Sequence, residues 1–415
     1  MMKGGELIGQ GSYGCIFKPT VTCKNEKIKR PGVSKIIFSK DALDEEMQAN
    51  VIIKKVDPKS EFTNPLEYVC EIDKFELNKE LGFDTCIPGK KTIVSTCYNL
   101  IFKYNGFDVQ KYTSIYEGQY SLAEVTFQTD ILKLCKGIQS LLHHEIIHFD
   151  IKPENVLVTD ERKIILIDFG LLTTFDKIYC QQNKYRLTHI YPFYPPEFTL
   201  CTEMEHLIDN KKFTSKSLYE SIDSLLPNIE QIFIEKYKKF NYANILDQLS
   251  KIGIHKHTVI SQLQEFITRI KEDIGNNDKL TVKKLYHYFY QNFASKVDTF
   301  SLGTVFLRLY IYGDKRKLSV LQNNALKAII KNMLNMNAYE RYDANLLVKH
   351  YTAFLKTFKI EKSSKLPLTF ETDLDTCMKK YTVVELKQIA RQHNRGVSGS
   401  KKELCERLLD VLLQK

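Results

Sequence analysis

At 415 residues the chain is long enough for two or three domains with substantial cores, and 43% hydrophobic with 11% aromatic residues exclude a chain disordered throughout. Lysine and arginine outnumber aspartate and glutamate by 60 to 50, a net charge of +10 that permits a polyanionic partner without demanding one. The ten cysteines show no Cys-x-x-Cys pair and read as reduced core thiols, and no apolar run has the length of a signal peptide or membrane span, so an intracellular protein with no membrane attachment is expected.

Residues 7–17 come first, Leu-Ile-Gly-Gln-Gly-Ser-Tyr-Gly-Cys-Ile-Phe. Gly9, Gly11 and Gly14 lie between apolar, strand-like runs that contain Ile8 and Ile16, and no helix opens after Gly14. Glycine lets backbone amides approach phosphate oxygens without a side chain in the way, so the stretch predicts a strand-turn-strand flap over the phosphates of a nucleotide. Residues 32–38 predict a strand carrying Lys35. Residues 41–56 are apolar at helical spacing, with Leu43, Met47, Val51 and Ile52 on one side, and contain Glu45 and Glu46. Residues 57–91, polar and broken by Pro58, Pro65 and Pro88, read as an insertion. Strands are predicted over 92–96 and 99–104, and an amphipathic helix over 121–145.

Residues 148–155 read His-Phe-Asp-Ile-Lys-Pro-Glu-Asn, a loop held by Pro153. Two short strands, 156–158 and 164–167, flank a polar turn and predict a hairpin that returns Asp168 to the side of Asn155. Two carboxylates and an amide suit phosphoryl transfer: Asp150 can orient a hydroxyl nucleophile, while Asn155 and Asp168 offer oxygens hard enough for Mg2+.

These motifs together resemble the protein kinase family. Residues 148–155 are similar to its catalytic loop, Asp168-Phe169-Gly170 to its metal-binding turn, and Tyr194-Pro195-Pro196-Glu197 to the end of its activation segment. Later, Asp298 resembles the aspartate that binds catalytic-loop amides, and Arg341 the arginine that pairs with Glu197. The resemblance implies an α+β, bilobal protein-kinase-like fold within residues 1–358. Its small β-rich lobe would span about 1–104 and its helical lobe about 105–358, with a helical insert near 200–296.

The same resemblance implies ATP and Mg2+ as cofactors, with Ile8, Gly9, Gly11, Gly14 and Ile16 around the nucleotide. Lys35 would meet the α- and β-phosphates, with Lys18 the competing lysine, and Glu46 would hold it in preference to Glu45. Residues 103–108 would be the hinge to adenine, with Phe102 behind it. Lys152, two residues past Asp150, resembles the serine/threonine branch, where such a lysine steadies the transferred phosphoryl group. Phe149 stands where most kinases carry the arginine that receives an activation-loop phosphate, which argues against phosphate-switched activation. That missing arginine, the compressed lysine motif and the large inserts resemble the divergent kinases of large cytoplasmic DNA viruses, which implies a cytoplasmic, nuclear or virion setting in a host cell.

The tail changes character. Residues 359–377 read as a linker. Thr382 with Glu385, and Ser400 with Glu403, have capping-box spacing for two helices separated by a glycine-punctuated turn. Residues 376–415 hold nine Lys or Arg against four Asp or Glu, a net of +5. This pattern resembles the SAP domain over 378–415, with Leu386, Ile389, Gly396, Val397, Ser398, Gly399, Lys401, Lys402, Leu404, Arg407 and Leu408 at matching positions. It implies DNA as a partner, Lys401 and Lys402 gripping phosphates; a helical hairpin that docks on protein is the alternative. The expected function is a serine/threonine kinase acting on protein substrates, and the alternative a pseudokinase scaffold that binds a partner through its tail.

Overall fold

A computed structural model of the chain describes residues 6–11, 14–26, 30–72, 77, 86, 97–104, 106–175, 193–198, 214, 216–224, 227–228, 231, 245–275, 280–363, 374–392 and 396–413. They fall into two units, Met1–Leu355 and Lys356–Lys415.

The first unit opens with an antiparallel five-stranded sheet. Its strands are β1 (Glu6–Gly11), β2 (Gly14–Lys18), β3 (Val33–Ile37), β4 (Leu66–Ile72) and β5 (Cys97–Phe102), in the order β1-β2-β3-β5-β4. Alternation along the strands sorts the side chains between two faces. Cys15, Phe17 and Ile36 pack with Ile72 on one, while Ile37, Leu66 and Leu100 pack on the other against Leu43 of helix α1 (Lys40–Val56). The Ser39 hydroxyl caps α1 by accepting the Ala42 N–H. Gly14 is dictated by packing: a Cβ there would lie 2.2 Å from the Ile36 carbonyl oxygen.

Strand β4 corrects the reading of 57–91 as an insertion. It pairs with β5 from Leu66↔Phe102 to Ile72↔Cys97 at the sheet edge, where exposed Glu67 and Glu71 interrupt its apolar pattern. Just upstream, the Asp57 carboxylate accepts the N–H groups of Glu61, Phe62 and Thr63 and the Thr63 hydroxyl. The turn so formed lays Phe62 on Gly137, where a Cβ would meet the ring at 2.3 Å.

The cysteines require a second correction. Cys15–Cys86, Cys23–Cys70 and Cys377–Cys405 are disulfides, while among the described residues buried Cys97 and Cys135 are outside any disulfide. Folding brings the bonded pairs to Cα separations of 5.8–5.9 Å from positions 71, 47 and 28 residues apart, which spacing alone could not reveal. Six of the cysteines are therefore bridged rather than reduced core thiols.

The rest of the first unit is mainly helical. After β6 (Gly106–Asp108) come helices α2 (Val109–Ile115) and α3 (Val125–His143), the latter starting after a turn in which the Ala123 N–H bonds the Ser121 hydroxyl. Short strands β7 (Ile146–Ile147), β8 (Val156–Thr159), β9 (Ile164–Leu166) and β10 (Thr173–Thr174) form the sheets β6-β8-β9 and β10-β7. Helices α4 (Ile245–Ser250), α5 (Lys256–Ile274), α6 (Val282–Phe293), α7 (Val297–Tyr312), α8 (Val320–Met333) and α9 (Ala344–Ser363) follow. Of the helices predicted in the insert, 258–274 and 280–293 appear as α5 and α6; 229–240 and strand 92–96 lie, but for residue 231, outside the described residues. Helix α7 is buried along most of its length, from Val297 to Tyr310, and forms the centre of this half.

The second unit contains α10 (Leu374–Lys380), α11 (Val383–Gln392) and α12 (Lys401–Leu413). Leu386, Ala390, Leu404 and Leu408 pack with the Cys377–Cys405 bridge. Both capping boxes form: Glu385 accepts the Thr382 N–H while the Thr382 hydroxyl accepts the Glu385 N–H, and Ser400 and Glu403 do the same. The stretch read as a linker holds the end of α9 and the start of α10. Among the described residues no helix is long and apolar enough to cross a membrane.

Candidate active site

Residues 148–155 join β7 to β8 and end in a 3-10 turn, Pro153–Asn155. The loop is held from beneath by Asp298 on α7, whose carboxylate accepts the N–H groups of His148 at 2.7 Å and Phe149 at 3.1 Å. Burial pushes the Asp298 carboxyl up to about 6, against the pull of those two hydrogen bonds.

His148 is fully buried, with Nδ1 3.3 Å from the Asp150 N–H and Nε2 3.3 Å from the Ile167 carbonyl. A backbone N–H can only donate, so Nδ1 accepts and the ring proton on Nε2 reaches Ile167. Burial lowers the His148 pKa to about 4, which keeps this neutral tautomer. One imidazole thus ties the loop to the residue before Asp168.

Asp150 sits in a polar clasp. Lys152 Nζ lies 3.0 and 2.9 Å from its two carboxylate oxygens, and Asn155 Nδ2 donates to Oδ2 at 2.7 Å and to the Asp150 carbonyl at 2.8 Å. Burial raises the Asp150 pKa while Lys152 opposes the rise. The amide nitrogen of Asn155 is committed to Asp150, so its oxygen is the atom left to meet a cation.

The β8–β9 ladder, Val156↔Leu166 to Val158↔Ile164, returns the chain, and the Ile167 N–H bonds the Asn155 carbonyl at 3.0 Å. Asp168 follows at once, with φ +61°, and Phe149 has φ +64°. Both are left-handed for L-residues, a cost of roughly 1–3 kcal/mol each that the surrounding contacts must offset. The Phe169 ring packs 4.9 Å from that of His148.

From the other side, Lys35 of β3 lies 3.2 Å from Asp168 Oδ1 and is hydrogen-bonded to Glu46 of α1. Burial works against its charge, yet Asp168 and Glu46 together hold its pKa above the ordinary lysine value. Burial likewise disfavours the Asp168 carboxylate, but Lys35 keeps its pKa below the ordinary range. The competing Lys18 instead faces Asp160, 3.5 Å away in an exposed pair. Ile16 stands opposite Lys35 in the β2–β3 ladder, and Gly9↔Ile16 and Gly11↔Gly14 set the β1–β2 hairpin, whose tip, residues 12–13, is outside the described residues. Ile8 joins the flap to α2, its carbonyl accepting Lys111 Nζ at 3.0 Å.

Residues 193–198 are anchored to the same centre. Arg341 and Glu197, both fully buried, form a two-pronged ion pair at 2.7 and 3.0 Å, and the Ser301 hydroxyl donates to the Phe193 carbonyl at 2.8 Å. Phe149 stacks on Tyr194, centroids 4.6 Å apart, and meets Phe198 edge-on at 5.6 Å. The ring contacts of Phe149 went unread in the sequence, where the signal was an aromatic residue at position 149 together with Phe193, Tyr194 and Phe198.

Over residues 2–352 the chain matches the family model described as Protein kinase domain. The chain belongs to the protein kinase family. A second model, SAP domain, matches residues 377–412, so the kinase domain is followed by a SAP domain. In this SAP domain Arg407 Nη1 holds the carbonyls of Gly396 and, at 3.0 Å, Ser398, fixing the turn before α12. Exposed Lys402 lies 3.9 Å from Glu406, one helical turn on.

Protein kinases in general use ATP and Mg2+. The donors in this kinase fit that ion: one carboxylate at 168 and one carboxamide oxygen at 155 are few and hard, as befits a cation that retains waters and shares phosphate oxygens with its nucleotide.

Proposed function

We propose that this protein is an active serine/threonine protein kinase that transfers the γ-phosphoryl group of ATP to protein hydroxyls, and that its SAP domain brings it to DNA. The observation that carries the reading is a pair of hydrogen-bonded sets, Glu46–Lys35–Asp168 and Asn155–Asp150–Lys152, whose segments are tied by the Ile167 N–H to Asn155 carbonyl bond. A carboxylate for the hydroxyl, oxygens for a cation and a lysine for phosphates all meet there.

Asp150 orients the substrate hydroxyl and takes its proton as the oxygen attacks phosphorus, a role its burial-raised basicity suits. Lys152, already on the Asp150 carboxylate, brings a positive charge to the phosphoryl group in transfer. Lys35 positions the α- and β-phosphates, steadied by Glu46, and Gly9, Gly11 and Gly14 with Ile8 and Ile16 cover the nucleotide. Asn155 and Asp168 hold Mg2+, which supplies neutralisation of phosphate charge. The lysine at 152 supports a serine or threonine acceptor, and the net +5 of residues 376–415, nine basic less four acidic, supports a polyanionic partner for the tail.

Asp150→Asn is the direct test. Transfer of radiolabelled phosphate to a generic basic protein should fall by about 10²–10⁴-fold with nucleotide affinity preserved. Turnover equal to wild type would reject the assignment of Asp150, and absence of transfer by the wild-type chain would favour a scaffold.

A further inference from the structure

We propose that the kinase domain carries a polyanion-binding surface of its own, where the ends of α4 and α7 meet α8, and that its occupant is the phosphate backbone of duplex DNA. Six basic residues from three stretches of chain gather there: Lys251, Lys315, Arg316, Lys317, Lys327 and Lys331. Lys327 and Lys331 lie one turn apart on one face of α8, while buried Leu326, Ile329 and Ile330 seat that helix on the core. Lys331 reaches the turn after α4, its Nζ 3.1 Å from where a Cβ on Gly253 would stand. That turn also carries Lys251, and it is fixed by the Gly253 N–H on the Ser250 carbonyl at 2.8 Å and by buried Ile252 and Ile254. At the end of α7, Lys315 Nζ donates to the carbonyls of Tyr310, Ile311 and Gly313 at 2.8, 3.0 and 2.9 Å. Burial lowers the Lys315 pKa, Asp314 opposes the fall, and the charges of Lys251 and Lys327 add to it, so both stand near.

Half of these cations have structural partners. Lys315 caps α7, Lys251 lies 3.6 Å from Asp247, and Arg316 lies 2.9 Å from Asp314. Among the described residues no carboxylate pairs with Lys317, Lys327 or Lys331. Six positive charges against the two paired carboxylates leave a net of +4. Like charges gathered in this way repel one another, a cost to the folded state that a bound polyanion removes. The helices beneath are packed, so the lysines are held in place before any ligand arrives.

The choice of DNA among polyanions rests on the reading of the SAP domain given above. Lys401 and Lys402 offer that domain few phosphate contacts, and a second set of lysines on the same chain turns two weak contacts into a stronger linked one. The surface uses none of the residues assigned to nucleotide, cation or hydroxyl.

The test uses the full chain and a fluorescein-labelled DNA duplex, with anisotropy followed across a salt series. Lys327→Gln with Lys331→Gln should weaken binding at low salt by about tenfold and lessen the slope of log affinity against log salt by about 2. Adding Lys401→Gln and Lys402→Gln should lessen it by about 4 in all. The α8 pair should transfer phosphate to a generic basic protein as wild type does and melt no lower than wild type, since repulsion is relieved. Should it melt early, Lys317→Gln replaces it, with a slope change of about 1 expected. A wild-type slope in the α8 pair, with the SAP pair alone lowering it, would overturn this surface and leave the SAP reading standing. No binding by the wild-type chain would reject both. Loss of binding to phosphatidylserine vesicles with DNA binding intact would make the surface a membrane contact and likewise overturn the proposal.

Discussion

Asp298 shows how one buried carboxylate organises a loop it does not belong to. Its oxygens take the N–H groups of His148 and Phe149, which otherwise would be buried without acceptors. In Asp298→Asn the amide nitrogen cannot accept, so one N–H loses its partner, and denaturant unfolding should report a loss of about 1–3 kcal/mol near neutral pH. The same carboxyl carries a pH signature. Its folded-state pKa is raised to about 6, while the unfolded chain releases that proton near the ordinary value of about 4. The native state therefore binds more protons between those values, and the contribution of this group is full below about pH 4 and lost as pH climbs through about 6. The stability difference between wild type and Asp298→Asn should accordingly be larger at about pH 4 than at about pH 7. A difference that grows toward neutral pH would contradict the raised pKa.

At the scale of elements, the catalytic-loop stretch and residues 193–198 are joined by packed rings. Phe149 contacts Tyr194 and Phe198, and the latter two pack on each other at 5.4 Å. Apolar contacts need no phosphate to form, so treatment with a phosphatase should leave kinase activity within about twofold of the untreated enzyme. Phe149→Ala should remove roughly 3–5 kcal/mol of stability by opening a cavity among these rings, read from denaturant melts, and lower kcat more than nucleotide affinity. Loss of activity on dephosphorylation would point to a charge-based link elsewhere.

Across the whole molecule, one ion pair and one patch of lysines set the terms. Arg341 and Glu197 come from positions 144 apart and share a site closed to water, where Arg341 also donates to the Asn335 carbonyl at 2.9 Å. Arg341→Ala strands the glutamate and should destabilise the kinase domain by about 3–5 kcal/mol, whereas the double change Arg341→Met with Glu197→Leu should recover most of that in thermal melts. In the SAP domain, Lys401→Gln with Lys402→Gln should lessen the slope of log affinity for DNA against log salt by about 2, since each phosphate contact contributes about 0.9. An unchanged slope would remove these lysines from the interface.

What the chain declares locally is its chemistry. Asp150, Asn155 and Asp168 lie within nineteen positions on a loop and hairpin, and the β8–β9 hairpin that returns the chain toward Asn155 was legible in the sequence because its pairing follows from short-range pattern. The two capping boxes of the tail were legible for the same reason, each being a hydrogen-bond exchange across three residues. Helical phase could not separate Glu45 from Glu46, because neighbours differ by only about 100° and the partner strand alone decides which faces Lys35. Strand β4 was hidden because an edge strand keeps polar residues among its apolar ones, and the disulfides because thiols far apart in sequence meet only when the sheet and the tail helices are built. The stack on Phe149 belongs to the same class: it is assembled from segments whose separation in sequence says nothing about their distance in space.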